Sequence, residues 1–233
     1  MKYVEDFAQG PAGWWGWNGN YEGLRPFERA ESAIVARSPW WIDYNHAPPG
    51  AGYLHMLFCL NTRGPFGDAM KDLFGNNGFV QGKYPTNFTD AKMTLRLKGE
   101  LLPRGANLVL LLQATADSLT SGWVLKAQPI GITADWSEQT LHLAPDPAQW
   151  ICLGSRHDRT DYYGRIDLKT VLGNVNCNLM LILFPLQIKP MGPAQPERDR
   201  LRAGRDYPVW RSELPEGYVI LDRVEIDFAP AGK

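Results

Sequence analysis

The sequence predicts an all-β protein, an antiparallel two-sheet sandwich with a few short helical turns, on three observations. Apolar-rich runs of strand length follow one another along the chain with turn residues between them. Met93–Lys98 alternates, with Met93, Leu95 and Leu97 on one face and Thr94, Arg96 and Lys98 on the other, the period of a half-buried strand. Helical signals are few, and none recurs between strands in the regular way a βαβ sheet requires.

Taken in order, each strand is justified by its composition and flanks. Ala33–Arg37 and Trp40–Tyr44 flank Ser38-Pro39, and Tyr53–Asn61 runs from Pro48-Pro49-Gly50 to Arg63-Gly64-Pro65. After Met93–Lys98 come Asn107–Ala114, Trp123–Gln128, Gln139–Leu143, Asn178–Leu186 and Tyr218–Phe228. Leu108–Leu112 and Asn178–Phe184 are apolar without alternation, so both are expected to be central strands buried on both faces. The outer face of their sheet then needs a cover. The Pro- and Arg-rich segment Lys189–Arg211 is the expected covering loop, within one domain spanning 1–233. Three helical turns are predicted. Asp167 can cap Leu168–Leu172, Asp146-Pro147 can open a turn ending near Trp150, and Asp68–Phe74 is the third.

Composition narrows the function classes. A chain of 233 residues can bury a core without disulfides, and 44% hydrophobic with 21% charged residues is ordinary for a globular protein. The net charge of −1 gives no broad electrostatic reason to bind nucleic acid or an anionic membrane. The longest apolar runs, Leu108–Leu112 and Leu179–Leu186, are too short to span a bilayer as helices. Cys59, Cys152 and Cys177 form neither a close metal-ligand cluster nor a full set of disulfides, and free thiols favour a reducing compartment. The first residues lack the apolar stretch of a signal peptide, so Met1, taken as the native start, implies the cytoplasm. The oligomeric state stays open.

The chemistry-bearing residues fall in two clusters. Gly13-Trp14-Trp15-Gly16-Trp17 packs three Trp among glycines and is expected to be a loop. Exposed indoles there would stack on the apolar faces of sugar rings; buried, they would plug one end of the sandwich. Trp40-Trp41 adds a constraint, because neighbours in a strand face opposite ways, and Trp41 joins the candidate ligand contacts. The second cluster is Arg156, His157, Asp158, Arg159, Tyr162 and Tyr163. Arg and Asp can bond vicinal hydroxyls bidentately, and Tyr offers a ring with a polar tip. The alternatives are a His–Tyr acid/base pair or a solvated, ion-paired loop. No catalytic residue is assigned: His-Glu-x-x-His, Gly-x-Ser-x-Gly, the Walker loop and Gly-x-Gly-x-x-Gly are all missing from the sequence. Glu225-Ile226-Asp227-Phe228 lacks the third carboxylate of the laminarinase-like glycosidase strand and reads as a terminal strand with Val224, Ile226 and Phe228 inward.

The order of pieces resembles the galactose-binding-like jelly roll of carbohydrate-binding modules and discoidin-type domains. The resembling elements are Glu5-Asp6-Phe7, Ala91–Glu100 with Gly105–Ala114, Thr133–Leu143 with its Trp136, and Leu221–Phe228. The resemblance implies a jelly-roll topology with adjacent first and last strands. It also implies a structural calcium between those strands, for which Glu5, Asp6 and Asp222 are the matching carboxylates. The function expected from it is non-catalytic recognition of a carbohydrate ligand, with no other cofactor. The alternatives are a carbohydrate-active enzyme with lyase-like His/Tyr/Arg chemistry, or a structural or assembly protein.

Overall fold

The computed structural model describes residues 1–16, 24–43, 52–63, 68–154, 163–187 and 214–230. In chain order the strands β1 (Lys2–Glu5), β2 (Trp14–Trp15), β3 (Glu28–Ala30), β4 (Ala33–Arg37), β5 (Ile42–Asp43) and β6 (Leu54–Asn61) lead to the short helices α1 (Asp68–Phe74) and α2 (Gly78–Gln81). Then follow β7 (Lys92–Leu102), β8 (Asn107–Ala116), β9 (Leu119–Leu125), β10 (Ser137–His142), β11 (Trp150–Cys152), α3 (Leu168–Gly173), β12 (Asn178–Phe184) and β13 (Glu216–Asp227). The strands build two antiparallel sheets packed face to face, and the chain crosses between them repeatedly.

The first sheet has the order β10-β7-β13-β4-β3, with β1 also on β13. β7 flanks β13 along its length. On the other edge β4 pairs with Tyr218–Leu221 and β1 with Val224–Asp227, so the first and last strands are adjacent. The register slips between Leu221 and Arg223, leaving Asp222 where β4 and β1 part. Such a bulge bends the strand and re-aims side chains. Val224, Ile226 and Phe228 are buried in the core as the sequence predicts, and Val219 and Leu221 join them because the bulge switches which alternate residues point inward.

The second sheet runs β11-β9-β8-β12-β6-β2, with β5 also on β6. β8 and β12 are central and lie side by side in register. Leu108, Leu110 and Leu112 join Leu179, Leu181 and Leu183 in the core between the sheets. Val109, Leu111, Met180 and Ile182 turn the other way into a second buried cluster with Leu54, Met56, Cys59 and Val124. The apolar runs without alternation are therefore buried on both faces. Trp15, Trp41 and Ile151 pack against the outer cluster; the proposed cover, Lys189–Arg211, lies outside the described residues.

Local signals explain most helix ends. The Asp167 carboxylate accepts from the Thr170 N–H at the start of α3, and Asp146 accepts from Ala148 N–H before the Pro147–Gln149 turn. α2 was not anticipated, because Gly78 opens it and glycine is a poor helix former. Asn77 compensates by accepting from the Val80 N–H at 3.1 Å. β9 begins at Leu119, ahead of the predicted Trp123, because Asp117 and Ser118 take left-handed φ of 48° and 66° and fold β8 back onto β9. No glycine marks that turn, so the sequence hides it.

Gly99 sits in β7 opposite Val219, and a Cβ there would overlap the Tyr218 carbonyl. Gly99→Ala is expected to lower stability by about 2–3 kcal/mol, through a forced shift between the sheet's two longest strands, measured by urea unfolding.

Candidate functional site

The structure separates the residues singled out in the sequence. Trp14 and Trp15 are not in a loop: they form the edge strand β2, paired with Leu60 and Cys59 of β6. Trp14 is wholly buried, its indole N–H donating to the Tyr3 hydroxyl at 3.1 Å and its ring edge-on to Phe7. It cannot offer a face to a ligand; it is core, because β2 points it between the sheets. Trp15 is half-buried and donates from Nε1 to Asn61 Oδ1 at 2.9 Å. Trp40 is buried between the sheets while half-buried Trp41 packs on the outer cluster, the opposite orientations expected of strand neighbours.

Tyr163 is half-buried and bridges to Thr120 at the start of β9. β9 and β2 are four positions apart in their sheet, a separation of about 19 Å at ordinary strand spacing. The described parts of the two sequence clusters thus do not meet in one subsite. Trp17, Arg156, His157, Asp158, Arg159 and Tyr162 lie outside the described residues.

The implied calcium ligands are each engaged elsewhere. Glu5 Oε1 accepts from the Phe7 N–H at 2.9 Å, with burial pushing its carboxyl above the usual range against that bond. Asp6 Oδ1 accepts from the Ala8 N–H, and the Asp222 carboxylate is held by the Arg96 guanidinium. Adjacent strands do not make a site when the carboxylates point to different partners, and the three do not fit a calcium ion. Among the described residues, no group of three or more His, Cys, Asp or Glu could hold a metal ion.

A different surface draws chemistry together: the outer face of the first sheet. Leu95 and Leu97 point inward, so Arg96 and Lys98 point out. Ser137 pairs with Leu97, which brings the preceding residue, Trp136, alongside Lys98. The Arg96 guanidinium lies 4.4 Å and the Lys98 ammonium 4.5 Å from the centre of the half-buried Trp136 ring. Both distances are those of cation–π contact. The next positions across the sheet are Ile220, opposite Lys98, and Val35, opposite Ile220. One step along, Arg37 stands over the Tyr218 ring at 4.8 Å and pairs with Glu28 at 3.2 Å. Tyr218 in turn lies opposite Glu100.

This face carries an aromatic and aliphatic floor of Trp136, Ile220 and Tyr218, edged by Arg and carboxylate groups that give and take hydrogen bonds. Sequence reading missed it, treating Trp136 only as the lead-in to a strand. The wet side of the alternating Thr94, Arg96 and Lys98 was the available signal. The site also needs cross-strand pairing, which no local pattern reports.

Comparison with protein-family models finds none that matches the chain, and comparison with curated proteins finds no match. No helix among the described residues is long and apolar enough to cross a membrane.

Proposed function

We infer that this protein is a non-catalytic carbohydrate-binding domain that recognises a glycan on the outer face of its first sheet. The observation that carries the reading is Trp136, a half-buried indole held by Arg96 and Lys98 on a solvated sheet face. An indole face suits the C–H face of a sugar ring. The Arg96–Asp222 and Arg37–Glu28 pairs beside it supply forked donors and carboxylate acceptors of the kind that vicinal hydroxyls use. The cation–π contacts set the ring's orientation before any ligand arrives, which reduces the entropy lost on binding. Resemblance to carbohydrate-binding jelly rolls supports the same reading.

A glycan array probed with the wild-type chain and with Trp136→Ala tests it. The variant is expected to lose about tenfold or more in affinity for the oligosaccharides that bind, equivalent to a lost stacking contact. Its melting temperature should stay within a few degrees, because the ring lies outside the core between the sheets. Unchanged glycan binding in Trp136→Ala would sink the assignment of this face, and an array without any binding would sink the function.

A further inference from the structure

The same face holds a second feature. At its β3–β4 end a cavity of about 320 Å³ lies over Val35, walled by Arg25, Pro26, Glu28, Arg37, Ser38 and Pro39. Val35 faces outward, since its neighbours Ile34 and Ala36 enter the core, yet it is only 4% exposed. Val35 is thus packed beneath the surrounding side chains, and what the cavity offers a ligand is Pro26, Ser38 and Pro39 with the Arg25 and Arg37 guanidinium groups and the Glu28 carboxylate. The cavity's size is at the lower end for small-molecule pockets. From Val35 the register runs straight across the sheet through Ile220 to Lys98 and Trp136. The cavity and the indole are thus two to three strand spacings apart, about 10–15 Å, with Ile220 and Tyr218 between them.

We propose that this face takes a linear, uncharged oligosaccharide lying across the strands, with one unit in the cavity at Val35 and another on Trp136. The inference rests on the carbohydrate reading and adds chain length and charge to it. Length follows from two anchors too far apart for one sugar ring. Charge follows from balance: Arg25, Arg37, Arg96 and Lys98 along the track are matched by Glu28, Glu100, Glu138 and Asp222, so no net field favours an acidic glycan. Between the anchors half-buried Ile220 offers an aliphatic surface to the C–H faces of the linking units, beside the Arg37 guanidinium stacked on Tyr218.

The test is calorimetric titration of the intact chain with neutral gluco-, xylo-, manno- and galacto-oligosaccharides of increasing length, and with oligogalacturonates as the acidic series. Wild type is compared with Trp136→Ala, Arg37→Ala and Glu28→Gln, with melting temperatures recorded for each. Affinity for a neutral series is expected to climb tenfold or more with length and then level off, each anchor adding its own increment. Trp136→Ala and the two cavity variants should each lower the affinity of the long oligomer while leaving that of the single sugar nearly unchanged in one of the two sets. Binding that is independent of length, with the cavity variants silent and Trp136→Ala impaired, would overturn the two-anchor proposal and leave the carbohydrate reading standing. Tighter binding of the oligogalacturonates would overturn the neutral assignment. The absence of binding in every series would overturn both.

Discussion

Replacing Trp14 with Ala is expected to destabilise the protein by about 3–5 kcal/mol, the range for removing a large buried aromatic side chain. Trp14 is 0% exposed, and its ring meets Phe7 edge-on with centroids 6.0 Å apart. Its N–H bond to Tyr3 ties β2 of the second sheet to β1 of the first. Removal leaves a cavity and an orphaned tyrosine hydroxyl together, two costs that add. Tyr3 is itself packed between Phe79 and Tyr84, so the hydroxyl has no easy route to water, and burial pushes its ionisation up. For a chain of this size the loss corresponds to a fall in melting temperature on the order of 10 °C. Tyr3→Phe should cost far less, because it removes only the hydrogen-bond partner. Thermal and urea unfolding of both variants measure the difference, and a Trp14→Ala melt within a few degrees of wild type would contradict the core assignment.

Stability is expected to fall by about 3 kcal/mol between pH 6.5 and pH 4 through His55 alone. This histidine is fully buried, with Nδ1 3.0 Å from the Trp41 carbonyl oxygen. That carbonyl can only accept, so Nδ1 carries the proton and Nε2 is left as a bare acceptor. Burial brings the pKa down to about 4, against the small opposing effect of the Trp41 hydrogen bond. Since the folded pKa is depressed, the unfolded chain binds the proton first as pH falls. The contribution is intact above about 6.5, shrinks through the window and levels off below about 4. Urea unfolding at a series of pH values, in wild type and His55→Phe, measures it. The variant should show a flatter profile across the window, whatever its absolute stability. A wild-type profile with the same slope as His55→Phe would show that the imidazole titrates without penalty.

The Trp14 result also separates two meanings of an aromatic-rich segment. Three Trp among glycines were compatible with a platform or a plug, and composition could not choose between them. Pairing with Leu60 and Cys59 chose for the first two, since a strand position points one side chain inward and the next away. A strand of two residues is invisible to periodicity; the partner strand forms it.

Elements whose character is written in short-range chemistry were legible. The alternation in Met93–Lys98, the unbroken apolar runs that became the central β8 and β12, and the Asp167 and Asp146 caps each depend only on neighbours within a few residues. The candidate site depends on nothing of that range. Val35, Ile220 and Lys98 share one row because β4, β13 and β7 pair in a particular register, across separations of more than a hundred residues. A slip of one residue would send every one of these side chains to the other face. The free energy that holds that register comes from burying the inward set, Ile34, Val219, Leu97 and their neighbours, so the outward set is positioned by residues that take no part in it. Which side chains are apolar is a property of the chain; which polar ones stand together is decided by how its hydrophobic faces close.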